Sequence, residues 1–428
     1  MSKSNWFKFL SLTLLALVPV VQLLANDGTI AFVGANIIDG TGADPIENGI
    51  LVVSNGKIRA VGPAESVGVP SDAETINVYG KTIMPGMINA HGHVGGTLGL
   101  ESGHYSTDNL LRQLSLYARY GITTINSLGD DAEEGFALRD AQLSPDLDRA
   151  RLFVAGAVIS GNSPAEARAA VNRAADLGAN YIKTRVDDNL GNSTKPAPEI
   201  FEAIIDQAHI RRLPVAVHLF YLDDAKAVLN AGADLIAHSV RDMAVDREFI
   251  DLINEKGVCY VPTLTREIST FIYESEPDFF SDPFFLKEAD PAVLEELKSP
   301  ERQTRMRNST SAQQYKIALE VAMDNVGSLS DAGVSIAMGT DTGPPARFQG
   351  YFEHMEVWLM VESGMSPMEA IHASTGKAAE CMNMSDLGTL EPGKWGDFII
   401  LNENPLDDIE NTRSIDSVWI AGNEVPGS

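Results

Sequence analysis

The stretch "NAHGHVGG", residues 89–96, sets His91 and His93 on either side of one glycine, just after an apolar run. In an extended strand, residues two apart point to the same side, so two imidazoles at a strand end can reach one ion, and Gly92 removes bulk between them. Alone, such a pair is equally compatible with two neighbours in a loop. Other segments change the reading. His218 closes "PVAVH", His238 closes "ADLIAH", Asp341 ends "VSIAMGTD", and Lys183 lies in "ANYIKT". A satisfied core histidine accounts for any one of these positions. It does not account for six ionisable groups at five strand ends, because burial without partners costs several kcal/mol each. A shared metal site satisfies them together.

The elements that must position these groups follow from periodicity. Short β-branched runs ("MINAH", "YGITTINSLG", "RLFVAGAVI", "ANYIKT", "PVAVHL", "ADLIAHS", "GVCYVPT", "GVSIAMGTD") alternate with alanine-rich helical segments such as "PAEARAAVNRAADLG". Strand–helix alternation over some 300 residues argues for parallel strands covered by helices, and the count of eight runs suits a (β/α)8 TIM barrel. A barrel puts the C-terminal strand ends around one mouth, where the six groups can meet. Both chain ends differ in character. "GTIAFVGANIIDGTG", "GILVVSNGKIRAVGP", "GDFIILNENP" and "SIDSVWIAGNEV" read as strands joined by glycine-rich turns. The expected fold is α/β: a barrel over residues 85–385 and a small β-sandwich domain from residues 28–84 and 386–425. A long aromatic and acidic insertion after the seventh strand, residues 264–300, is either a lid, an oligomer contact or a surface excursion with local helices.

The 59 acidic against 32 basic residues give a formal charge of −27, which argues against nucleic acid or an acidic membrane surface as partner. Cys259 and Cys381 are the only cysteines; they are too few for a disulfide-dense scaffold, and each lacks a neighbour for a zinc pair. They are expected at core or helix-face positions, with a single bridge possible. Residues 1–25 follow the signal-peptide pattern, with Lys3 and Lys8 before an apolar stretch and Ala25 before polar Asn26. That predicts a periplasmic or secreted protein with no stable membrane span after processing.

The chain resembles the amidohydrolase superfamily, in the branch near imidazolonepropionases and metal-dependent prolidases. The resemblance is carried by "IMPGMINAHGH" at 83–93, "YIK" at 181–183, "PVAVH" at 214–218, "DLIAH" at 234–238 and "GTDTG" at 339–343. The later segments "HMEVWLMVESGMSPMEAIHASTGKAAECM" and "LGTLEPGKWGDFIILNENPLDDI" extend it to about residue 425. It implies two divalent metal ions, zinc being expected. His91 and His93 would bind one and His218 and His238 the other, with Lys183 bridging as a carboxylated lysine. Asp341 would hold the first ion and shuttle the proton. For Lys183, a snorkelling barrel lysine or a substrate-carboxylate anchor is the alternative.

The implied activity is cleavage of a C–N amide bond in a small carboxylated substrate, an Xaa-Pro or other dipeptide or an N-acyl amino acid, by hydroxide that the metals generate from water. Arg241 and Tyr221, each three residues beyond a ligand histidine, are expected on loops at the mouth, with Arg241 as a bidentate carboxylate clamp. Arg185, His104 and Tyr105 are further substrate-binding candidates. Surface pairing is the plainer reading of both arginines and of His104. His209, His354 and His372 fall in helical segments and read as packing or exposed residues. Asn126 stands where many relatives carry arginine, which loosens the transfer of substrate specificity. Lactonase, cyclic-imide hydrolase and phosphotriesterase chemistries use the same centre and stay open, as does a noncatalytic assembly protein on the same scaffold. A homo-oligomer is expected.

Overall fold

The computed structural model describes residues 28–428; the leader read over residues 1–25 lies outside them. Five strands open the described chain: β1 Thr29–Ile37, β2 Ile46–Ser54, β3 Lys57–Pro63, β4 Glu74–Asn77 and β5 Thr82–Pro85. Next come β6 Met87–Gly92 and a minute hairpin, β7 Thr97–Leu98 with β8 Glu101–Ser102. Then strand and helix alternate through β9 Ile122–Ser127, β10 Arg151–Val154, β11 Ile182–Arg185, β12 Val215–His218, β13 Leu235–Ile236 and β14 Cys259–Tyr260. Late helices lead to β15 Phe398–Leu401, β16 Ile415–Ile420 and β17 Asn423–Glu424.

The arrangement is TIM-barrel-like α/β. Parallel pairing joins β10–β9–β6 and β11–β12–β13–β14. Single parallel bridges link these runs: Ile159 to Thr184, Tyr260 to Ile336, and Gly92 to Thr342. The segment 336–342 therefore sits between β14 and β6, and the pairing returns to its starting strand. These strands are short and buried on both faces, so they read as apolar runs rather than alternating ones. β13, only two residues long, is buried throughout.

The two chain ends share one eight-stranded sheet in the order β17-β16-β15-β5-β1-β2-β3, with β4 added to β1. The strands expected to build a sandwich thus belong to a single hydrogen-bonded sheet. Alternate residues of β15 serve two cores, as the twofold strand period requires. Phe398 and Ile400 pack with Phe32 and Trp419 in the sheet's own core, whereas Ile399 and Leu401 join the large core around the barrel. The junction carries a buried ion pair. Arg151, the first residue of β10, grips Asp397 through Nε–Oδ2 at 2.6 Å and Nη2–Oδ1 at 3.1 Å.

The 264–300 insertion is a run of local helices whose aromatic residues are structural. Phe279, Phe280 and Phe285 are buried and pack on Phe348, Tyr351 and Phe352. The cysteines do more than fill core positions. Cys259 on β14 and Cys381, the last residue of the helix Gly376–Cys381, form a disulfide across 122 residues of chain. No sequence spacing marks such a pair, because the barrel alone brings its seventh strand beside the final helix. Among the described residues, no helix is long and apolar enough to cross a membrane.

Candidate metal centre

His91 lies in the last two residues of β6 and His93 follows the strand directly, His218 closes β12, and Lys183 lies in β11. His238 follows β13 by two residues, and Asp341 ends the segment beside β6. The parallel ring turns these ends the same way, and the side chains converge. Nε2 of His91 lies 3.2 Å from Nζ of Lys183. Oδ1 of Asp341 lies 2.9 Å from Nε2 of His93 and 3.7 Å from Nε2 of His91. The rings of His91 and His238 are 4.7 Å apart, and those of His218 and His238 4.1 Å. His91, His93 and Asp341 each offer a ligand atom within 4.8 Å of the others. Gly343 (φ +110) makes this approach possible, since a Cβ there would lie 2.1 Å from the His93 carbonyl oxygen.

Three of the four rings have a distinct outer partner. His218 sets Nε2 3.0 Å from the Asp187 carboxylate. A carboxylate only accepts, so Nε2 carries hydrogen and Nδ1 is left with a lone pair. His238 spends Nδ1 on the Thr263 hydroxyl at 2.7 Å, which frees Nε2. His93 directs Nδ1 to the Gly129 carbonyl at 3.2 Å and Nε2 to Asp341 at 2.9 Å. His91 Nδ1 is buried without a partner.

Burial and like charge hold three of the four imidazoles neutral; at His93 burial opposes the charge, but the hydrogen bond to Asp341 raises it above the ordinary imidazole value. Burial, with the Lys183 charge next, holds His91 well below the ordinary imidazole range. Burial drives His218 down to about 3 against the pull of Asp187. His238 is lowered by burial and then by His218. Burial brings Lys183 down to about 7. Asp341 goes the other way: burial opposes its charge, but the Arg347 guanidinium and the His93 contact hold it well below the carboxylate range. Arg347 donates to both the side chain and the carbonyl of Asp341. Imidazole nitrogens, an amine and one ionised carboxylate converge, with His93 paired to that carboxylate. Nitrogen and oxygen donors gathered this closely suit a divalent metal ion.

The proposed substrate residues scatter. Arg241, expected on a mouth loop, is instead enclosed at 1% exposure. Its Nε lies 3.0 Å from Glu267, and Nη1 donates to the Leu219 and Ser239 carbonyls. Its charge is met inside the protein, a placement that no local sequence pattern announces because Glu267 comes from the helix Leu264–Ser269 beyond the next strand. Arg185 is 45% exposed and shares Asp187 with His218. Tyr221 donates to Asp188. The ring of Tyr105 lines a cavity of about 470 Å³ beside His93, with Val94, Gly129, Pro344 and Pro345. His104 stays half-exposed, 3.5 Å from Glu101. Outside the cluster, His354 is buried between Thr412 and the Tyr120 carbonyl, and His209 pairs with Asp234. Asp187, Thr263 and Arg347 were not singled out from the sequence; only the acidic pair in "TRVDD", shortly after Lys183, hints at the first.

A family model described as Amidohydrolase family matches residues 82–425. Among characterised proteins, an ochratoxinase from Aspergillus niger is 25% identical over 461 aligned positions, covering 94% of this chain and 88% of the relative. An imidazolonepropionase from Geobacillus kaustophilus is 24% identical, covering 83% and 84%. The solved structure of a Xaa-Pro dipeptidase with bound methionine in the active site superposes with a TM-score of 0.75 at 23% identity, covering 93% of this chain and 99% of that one. At that identity the last likeness speaks for the fold.

Proposed function

The chain belongs to the amidohydrolase family, and from that premise we propose that it is a dinuclear metal hydrolase cleaving the amide bond of a small carboxylated substrate, a dipeptide such as Xaa-Pro or an N-acyl amino acid. One observation carries the reading: Lys183 Nζ, buried and brought down to about 7, sits 3.2 Å from a ligand-type histidine nitrogen. A neutral amine is the form that adds to carbon dioxide, giving a carbamate and releasing one proton. The resulting two-oxygen anion would add a ligand to both sets of donors: His91, His93 and Asp341 would hold one ion, and His218 and His238 the other. Zinc fits these donors. When bound, such ions supply Lewis acidity and a water of near-neutral pKa.

The chain's own groups account for the rest. Arg347 keeps Asp341 ionised, so its carboxylate can take the proton of the attacking water and return it to the departing nitrogen. The cavity beside His93 has an apolar lining of Val94, Tyr105 and Pro344 that suits one side chain of the substrate. Arg185, exposed at the mouth, is the better-placed carboxylate grip than the enclosed Arg241. Names of relatives point the same way: ochratoxinase, imidazolonepropionase and Xaa-Pro dipeptidase. The finer architecture belongs to the same proposal, with a (β/α)8 barrel over 85–385 and a β-sandwich unit from 28–84 and 386–425. So does export, which the Cys259–Cys381 bridge supports, since disulfides persist in oxidising compartments.

The test is zinc-loaded protein challenged with Xaa-Pro dipeptides, N-acyl amino acids, lactones, cyclic imides and aryl phosphotriesters. Turnover of the first two classes, lost on chelation, is the expected result. Turnover confined to lactones or phosphotriesters would reassign the substrate, and a metal-free inactive protein would end the enzyme reading.

A further inference from the structure

Two carboxylates lie one turn apart on the helix Tyr351–Glu362, both completely buried: Glu353 and Glu356. Residues at this spacing share a helix face. Their hydrogen-bond partners are all neutral. Oε1 of Glu353 accepts from Asn89 Nδ2 at 2.7 Å, Thr340 Oγ1 at 2.8 Å and Thr342 Oγ1 at 2.6 Å, and Oε2 accepts from the Gly350 N–H at 2.7 Å. Oε1 of Glu356 accepts from the Leu264 N–H at 2.6 Å. Its Oε2 accepts from the Thr265 N–H and hydroxyl, both at 2.7 Å.

These bonds end on residues that flank the centre's ligands. Asn89 receives the His91 N–H on its own side-chain oxygen at 2.9 Å. Thr340 and Thr342 bracket Asp341, whose backbone is left-handed at φ +56. On the other side, Leu264 and Thr265 follow Thr263, which stands at φ +53. A β-branched residue rarely adopts that conformation, and it persists only where its surroundings over-determine it. Glu356 does so by pinning the next two N–H groups. The result is a Thr263 hydroxyl aimed at His238 Nδ1. Burial raises both acids, Glu356 to about 8, and an apolar residue would serve mere packing of this helix without that cost.

We propose that Glu353 and Glu356 are positioning residues for the two halves of the metal centre, Glu353 setting His91 and Asp341, and Glu356 setting His238 through Thr263. The assignment rests on the metal-hydrolase reading. One helix face thereby fixes the spacing between the two ion sites.

The experiment is zinc binding to the full chain by chelator competition, with folding followed by circular dichroism and thermal melting. In Glu356→Gln an amide nitrogen must face a backbone N–H, because both carboxylate oxygens accept from one. Thr263→Val removes only the hydroxyl. Both variants are expected to bind one of two zinc ions about 10–100-fold more weakly and to keep the other. Glu353→Ala is expected to weaken the remaining site to the same degree. Glu353→Gln keeps an acceptor at the Oε1 position for Asn89, Thr340 and Thr342 and turns its amide nitrogen against the Gly350 N–H, away from the ligands, so it recovers part of the loss. If the wild type takes up no zinc, the metal reading itself fails. If it takes up two and the folded variants bind both as tightly, the positioning assignment is overturned. Should Glu356→Gln not fold, Thr263→Val decides for that half. Should Glu353→Ala not fold, Thr340→Val decides for the other, and wild-type affinity in either overturns its half.

Discussion

The two ends of the strand ring treat buried polarity in opposite ways. At the N-terminal end, Arg151 meets Asp397 through two nitrogens, gives a third to the Gln142 carbonyl, and lies over the Trp395 ring at 4.2 Å. Asp397 spends its remaining capacity on the Ala421 N–H at 2.8 Å. At the C-terminal end, His91 Nδ1 has no partner and the His93–Asp341 pair sets an imidazole nitrogen against a carboxylate. The first cluster is closed and joins the sheet to the barrel. The second gathers donors suited to a divalent cation. Buried groups that satisfy one another stabilise a fold, whereas buried groups that converge without doing so mark a site for something else.

The sharpest way to break this comparison is Asp341→Asn. Hydrolysis should fall by about 10²–10⁴-fold while the melting temperature stays near that of the wild type; a large loss of stability with activity retained would reverse the roles of the two ends. Next comes Arg151→Met. Removing one partner of a buried pair strands Asp397 and should cost about 3–5 kcal/mol in urea unfolding, with zinc content and kcat of the folded protein unchanged.

A satisfied histidine provides a smaller, pH-resolved contrast. Burial lowers His354 to about 3 from 6.5, against the bond to the Tyr120 carbonyl. Its folded pKa lies below its unfolded one, so its contribution is complete above pH 6.5 and is lost as the pH falls toward 3. The slope over that window is about 1.4 kcal/mol per pH unit, and His354→Gln should remove it. An unchanged slope in that variant would show that other groups carry the acid sensitivity. The least effect belongs to exposed pairs such as Arg302–Glu296 at 3.0 Å. Arg302→Ala should shift stability by less than about 1 kcal/mol and leave zinc binding untouched.

Much of the barrel was legible because short β-branched runs separated by helical stretches have few other folded solutions. The ends of those runs named His91, His93, Lys183, His218, His238 and Asp341, which the structure brings together. Arg241 misled. A position three residues beyond a ligand histidine does not reveal that Glu267 will enclose its charge. Glu353 and Glu356 were not singled out from the sequence, and nothing in their neighbourhood announces complete burial. The cysteines are similar, since 122 residues separate them.

Residue type and strand period are local properties, and they alone determined which nitrogens and oxygens this chain could bring to a barrel mouth. Tertiary structure decided which lone pairs remain free there, which arginine is spent inside, and which carboxylates stand behind the ligands. Those outcomes depend on contacts such as Glu356 with Leu264 and Glu353 with Asn89, 92 and 264 residues apart. Partners that distant are chosen only when the whole chain packs, because desolvation and hydrogen bonding act on neighbours in space and leave no trace in sequence order.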